Sequence, residues 1–202
     1  MGDGGLAYTR GQVPCVETMM TNPKYVYGLW ELFGALSTDH ITYRTAQEVK
    51  NRRQKGGAVP PSAGAKPQYR WRTRKCPELM LLEPWYCSGG KVFPKGTSLT
   101  PATLKHWYSG DGGVNIHHGK CVITSVNEMD DFSNILSMFN DIGFSPNTSG
   151  THIYFTKEES HELLDYMGDP PPGFEHKWIL DDRERYERQR EIDYQPPEAL
   201  SR

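Results

Sequence analysis

Apolar side chains recur along this 202-residue chain in two rhythms, period two and period 3.6, and the order of the rhythms occurs twice. Over residues 6–20 apolar and polar positions alternate loosely around Gly11, which predicts two short strands and a turn. Asn22-Pro23 then opens a helix, with Asn as cap and Pro at the first helical position. Val26, Leu29, Trp30 and Phe33 give that helix an i, i+3, i+4, i+7 core stripe. Strands are predicted at 40–49 and 68–74. Residues 51–67 between them, rich in Gly, Ala, Pro and Lys/Arg, read as a long mobile loop. A helix over 77–86, a turn and Lys91 close this half.

The second half follows the same plan. Residues 114–116 and 121–126 flank His117-His118-Gly119, a hairpin whose histidines read as solvent-exposed turn residues. Phe132, Ile135, Leu136 and Phe139 repeat the helical stripe, stopped by Gly143. Strands at 144–147 and 151–155, a helix over 158–167, a turn and Lys177 complete it. Gly2-Asp3-Gly4-Gly5 and Gly110-Asp111-Gly112-Gly113 open the two halves 108 residues apart. From aspartate to lysine is 88 residues in the first half and 66 in the second, a surplus close to the length of the long loop. A charged segment at 181–193 has helical spacing and reads as a solvated helix.

Thr100 caps and Pro101 starts a further helix, which runs through Leu104, Trp107 and Tyr108 to Gly110. Asp111 therefore sits at its carboxyl end, where a carboxylate faces the negative pole at a cost of about 0.3–1 kcal/mol unless a cation is near. A bound divalent metal would reverse the sign. Gly110, like Gly2, has no side chain, so two such helix ends could approach closely and bring Asp3 and Asp111 together. One copy of this tetrapeptide would read as an ordinary Asp-Gly turn; its recurrence at equivalent places favours a site.

Composition narrows the class. With 36% hydrophobic residues and five Trp the chain can bury a core. No run of about 18 apolar residues and no basic-then-apolar leader occurs, so the expectation is a soluble, intracellular protein with no membrane partner. Cys15, Cys76, Cys87 and Cys121 form no C-x-x-C pair, which argues against zinc and gives no disulfide framework. The net charge of −2 hides a strong asymmetry. Residues 41–75 hold ten Lys/Arg against one acid, and residues 128–202 hold seven against 17. The basic stretch suits nucleic-acid contact or a solvated loop. Within it Arg70, Arg72 and Arg74 alternate along a predicted strand, with Tyr69, Trp71 and Thr73 on the opposite face.

Leu99-Thr100-Pro101, Trp107-Tyr108 and Gly110-Asp111-Gly112-Gly113 resemble the second LAGLIDADG motif of homing endonucleases. Asn22-Pro23-Lys24-Tyr25, residues 70–74 with Pro77-Glu78-Leu79, Lys91-Val92-Phe93-Pro94 and Phe174-Glu175-His176-Lys177-Trp178 extend the resemblance over about residues 2–178. It implies an α+β fold of two pseudo-symmetric αββαββα repeats, at 1–98 and 99–178 with a charged tail at 179–202, forming a DNA-binding saddle. Only Met1 precedes Gly2-Asp3, so the first repeat is expected to lack most of its opening helix.

The activity implied is site-specific cleavage of double-stranded DNA by a monomer with an internal pseudo-twofold. Asp3, Asp111 and the neighbouring Gly2 and Gly110 would hold Mg²⁺ or Mn²⁺. Lys91 and Lys177 match the active-site lysines. Arg44, Arg52, Arg53, Arg70, Arg72, Arg74, Lys75 and Lys120 are the candidate DNA contacts, in ribbons that lie in the major groove. The same resemblance leaves an intron-RNA-binding maturase or an inactive truncated copy as alternatives.

Overall fold

The computed structural model describes residues 4–7, 13–55, 65–86, 91–115, 118–125 and 132–190. The described residues form two compact units, one over Gly4–Pro77 and one over residues 78–190. Each holds a four-stranded antiparallel sheet, and the strand order is the same in both. The alternating sequence pattern thus produces two α+β units on one plan.

In the first unit the strands are β1 (Gly4–Ala7), β2 (Cys15–Met20), β3 (Thr42–Arg44) and β4 (Gln68–Arg72), ordered β1-β2-β4-β3. Helix α1 (Pro23–Phe33) begins as its sequence predicts, with the Asn22 side chain accepting from the Tyr25 amide and Pro23 in the first turn. Period two sorts the sheet faces: Thr18, Met20, Tyr69 and Trp71 are buried, and Glu17, Arg70 and Arg72 look outward. The Trp71 indole donates to Ser37 Oγ at 2.9 Å, and that hydroxyl donates onward to the Trp30 carbonyl, so the buried polar groups under the sheet are satisfied.

Three expectations for this unit are corrected. The strand predicted over 40–49 ends at Arg44, because Thr45 and Glu48 form a capping box that starts helix α2 (Ala46–Lys55). The long loop predicted over 51–67 is helical through Lys55, and residues 56–64 lie outside the described residues. In the α1 stripe Val26 is fully buried, but Trp30 and Phe33 remain 36% and 37% exposed.

The second unit contains a 3₁₀ helix (Pro77–Trp85), α3 (Pro101–Asp111), β5 (Gly112–Asn115), β6 (Lys120–Thr124), α4 (Phe132–Asp141), β7 (Asn147–Ser149), β8 (His152–Tyr154), α5 (Lys157–Met167) and α6 (Asp182–Arg190). Its sheet order is β5-β6-β8-β7. The helix predicted over 77–86 is 3₁₀ and contains Pro84, which has no amide to donate. Phe144, predicted to begin a strand, is instead buried in the core ahead of β7.

Helix α3 is the spine of this core. Leu104, Trp107 and Tyr108 are buried, and the rings run in sequence from Phe93 to Trp107 at 5.0 Å, Trp107 to Phe139 at 6.1 Å and Phe139 to Phe155 at 5.3 Å. Thr100 caps α3 and Thr156 with Glu159 forms a full capping box on α5. Tyr166 donates to the Leu99 carbonyl at 2.7 Å, tying α5 to the start of α3. Among the described residues no helix is long and apolar enough to cross a membrane.

Candidate active site and nucleic-acid interface

Asp111 is the last residue of α3, partly exposed, and the chain turns at once into β5. Gly112 makes that turn possible: a Cβ there would lie 2.2 Å from Tyr108 Cδ2 and 2.5 Å from the Tyr108 carbonyl oxygen. Tyr108 is immovable, since its ring is fully buried and packs edge-on against Trp178 at 5.3 Å. Its hydroxyl lies 3.1 Å from the Lys177 carbonyl and 3.3 Å from Cys121 Sγ.

Lys177 rides on a single 3₁₀ turn (Glu175–Trp178). Its ammonium donates to the carbonyls of Ser109 at 2.6 Å and Gly112 at 2.7 Å, and lies 4.9 Å from the Phe174 ring centre. These carbonyls belong to the negative pole of α3, so Lys177 neutralises the helix end that carries Asp111. The lysine is fixed at both ends, by Tyr108 at its backbone and by the two carbonyls at its ammonium. The sequence links Asp111 to Lys177 only by order in the repeat; the hydrogen bonds across 65 and 68 residues appear only once the unit is folded.

Cys121, on β6 behind this corner, is a fully buried free thiol, and burial pushes its pKa up to about 11 despite hydrogen bonds from Tyr108 and with Ser160. It stays protonated and inert at neutral pH. Asp3 and Gly2 lie outside the described residues. Lys91 precedes Val92, whose amide donates to the Trp85 carbonyl at 3.0 Å, and Phe93, which enters the core beside Trp107. Beside the outer side of α3, a groove of about 390 Å³ is lined by Trp85, Phe93, Ala102, Thr103, His106 and Trp107 among others. The buried Trp107 indole N–H has no hydrogen-bond partner among the described residues, and burial, with Lys105 nearby, lowers the His106 pKa.

The predicted nucleic-acid contacts divide by unit. Arg44, Arg70 and Arg72 lie on the outer face of the first sheet. Arg74 stands beyond the end of β4, not within the strand: Thr73 makes only an isolated bridge with Ser37, and Arg74 bonds the Ser37 carbonyl and the Asp39 carboxylate. Lys75 is exposed after it. Arg52 and Arg53 belong to the backbone of α2, and their side chains lie outside the described residues. The residue that pattern alone did not single out is Glu17, paired with both Arg70 and Arg72.

In the second unit Lys120 opens β6, and the outward positions around it are Asn115, Val122, Thr124, Asn147, Ser149, His152 and Tyr154, with the last two rings stacked at 5.7 Å. His118 is exposed in the hairpin turn, as expected; His117 lies outside the described residues. Among the described residues no three His, Cys, Asp or Glu side chains converge as a metal cluster.

A duplicated α+β unit with a four-stranded antiparallel sheet, whose second copy opens on a helix ending in an aspartate, defines the fold class. No known family's sequence profile matches the chain, and no curated protein matches it in sequence. Among solved structures it is similar to the homing endonuclease I-WcaI bound to its DNA recognition sequence, at a TM-score of 0.68 and 14% identity, over 88% of this chain and 81% of that one. The chain has the fold of a homing endonuclease.

Proposed function

We propose that this protein is a site-specific double-strand DNA endonuclease of the homing, LAGLIDADG type, with repeats at 1–98 and 99–178 and a charged tail at 179–202. The observation that carries the reading is the repeated sheet order, β1-β2-β4-β3 and β5-β6-β8-β7, in a fold similar over most of its length to a homing endonuclease bound to DNA. The position of Asp111 beside Lys177 supports it.

The donor chemistry at Asp111 fits a hard divalent cation. It offers a carboxylate and main-chain oxygen at the negative pole of α3, with neither thiolate nor imidazole in the set. Asp111 and the Gly110 carbonyl would hold the ion together with Asp3 and Gly2 of the first motif. Mg²⁺ or Mn²⁺ would there lower the pKa of a bound water and stabilise charge on the scissile phosphate.

This chain's own residues do the positioning. Lys177 holds the Ser109 and Gly112 carbonyls, which fixes the turn bearing Asp111; on this reading its positive charge would stand beside the scissile phosphate. Lys91 would serve the first repeat likewise. Arg44, Arg52, Arg53, Arg70, Arg72, Arg74, Lys75 and Lys120 would contact double-stranded DNA, the partner of a monomer with an internal pseudo-twofold.

The test is to incubate the purified chain with a plasmid library of randomised sites in Mg²⁺ and to capture and sequence new double-strand ends. One enriched cut site, lost on chelation, is the expected result. No cutting, with salt-sensitive binding of structured intron RNA, would replace the nuclease with a maturase; neither activity would mark an inactive copy.

A further inference from the structure

β2 and β4 run antiparallel with Glu17 opposite Arg72 and Met19 opposite Arg70, so these four side chains share the outer face of the first sheet. Thr42 and Arg44 of β3 extend that face, and Arg44 Nη1 lies 3.7 Å from Met19 Sδ. A single carboxylate oxygen, Glu17 Oε2, accepts from Arg70 Nη2 at 2.5 Å and from Arg72 Nε at 2.7 Å. Partial burial pushes the Glu17 carboxyl upward, but the hydrogen bonds and charges of the two arginines outweigh it and leave the pKa below the usual carboxylate range. The group is therefore an anion at neutral pH.

An ion pair this open adds little to stability, since the Glu17 and Arg70 side chains are each about a quarter exposed and Arg72 more. What it changes is orientation. Two long side chains that would otherwise sample many rotamers are tied to one anchor on a rigid strand, and the entropy lost on ordering them is spent before any ligand binds. The pairing engages Nε of Arg72 and one Nη of Arg70, so each guanidinium keeps further N–H donors pointing away from the anchor. The anionic carboxylate between them also repels phosphate. Arginines held this way are poor backbone contacts and good readers of the paired acceptors N7 and O6 on a guanine edge.

We propose that Glu17 is a specificity-determining residue, which aims Arg70 and Arg72 at guanine edges in the major groove and keeps them off the phosphates. This rests on the DNA-binding reading above and adds to it a residue of the opposite charge. The second sheet has no equivalent: the cross-strand pair at the corresponding register is Val122 with Tyr154.

The experiment selects binders from a randomised duplex library, without divalent metal, using the whole chain as wild type, Glu17→Gln and Arg70→Lys, with circular dichroism to verify folding. The wild type is expected to enrich one site with guanines in the half read by the first unit. Glu17→Gln should lose that guanine preference, bind random duplex about 3- to 10-fold more tightly, and show a steeper salt dependence as arginines swing to phosphates. Arg70→Lys, which keeps the charge but not the fork, should lose one guanine without that gain. A folded Glu17→Gln protein that enriches the wild-type site unchanged would overturn the role of Glu17 alone. A wild type that enriches no sequence would overturn the DNA-binding reading and the role of Glu17 with it.

Discussion

The two units share a strand order and differ in what lies on each side of their sheets. In the second, α3 drives Leu104, Trp107 and Tyr108 into the core. In the first, α1 buries Tyr25 and Val26 but leaves Trp30, Leu32 and Phe33 exposed, and among the described residues of this unit Val13, Met19, Leu36 and Tyr43 are exposed as well. On the outer faces, among the described residues, the contrast runs through residue type: Arg44, Arg70, Arg72 and Glu17 on one sheet, and Lys120 with Asn115, Val122, Thr124, Asn147, Ser149, His152 and Tyr154 on the other. One topology can therefore carry a core closed by a central helix or one with apolar groups left exposed, and an arginine-rich outer face or one with few charges among its described residues. The strands fix position, and the chemistry is set by what packs on them.

The comparison is broken most forcefully at the α3 spine. Trp107→Ala removes a ring buried to 1% exposure and should cost about 3–5 kcal/mol in urea unfolding, whereas Trp30→Ala, at 36% exposure with one indole bond to the Thr38 carbonyl, should cost about 1 kcal/mol. Equal losses would mean that the first unit is as tightly closed as the second.

Next in size is an alkaline effect in the second unit. The Cys121 thiol is raised from 9.0 to about 11 in the folded state, so its contribution is fully present below pH 9 and is lost as pH rises towards 11. Unfolding measured over that window should show stability falling by about 2–3 kcal/mol, and Cys121→Ala should flatten this fall. A smaller contrast sits at the β5 corner. Gly112→Ala meets Tyr108 and should cost about 1–3 kcal/mol, and Gly113→Ala, with open space around its Cβ, clearly less; the same thermal-melt shift for both would contradict the described turn.

Much of this was legible in the sequence, and for identifiable reasons. Asn22-Pro23 and Thr100-Pro101 announce helix starts through local hydrogen bonding, and the duplicated order of strands and helices needs only periodicity. Thr45 and Glu48 also carried their own signal, a capping box, inside a stretch whose apolar pattern suggested a strand. The exposure of Trp30 and Phe33 was not legible, because a stripe says which face is apolar and not what covers it. The bonds from Arg70 and Arg72 to Glu17, and from Lys177 to the end of α3, depend on register between segments more than 50 residues apart. Residue type pointed to these side chains; only the fold supplies their partners.

The proposed active centre stands or falls with Asp111. With the cut site in hand, wild type and Asp111→Asn should be compared on the same duplex for binding by gel shift and for double-strand cleavage in Mg²⁺. The prediction is binding within about threefold of wild type with cleavage reduced by 10³-fold or more, as expected when a residue acts only in the reacting state. Cleavage undiminished in Asp111→Asn would contradict the assignment of the α3 terminus as the active centre.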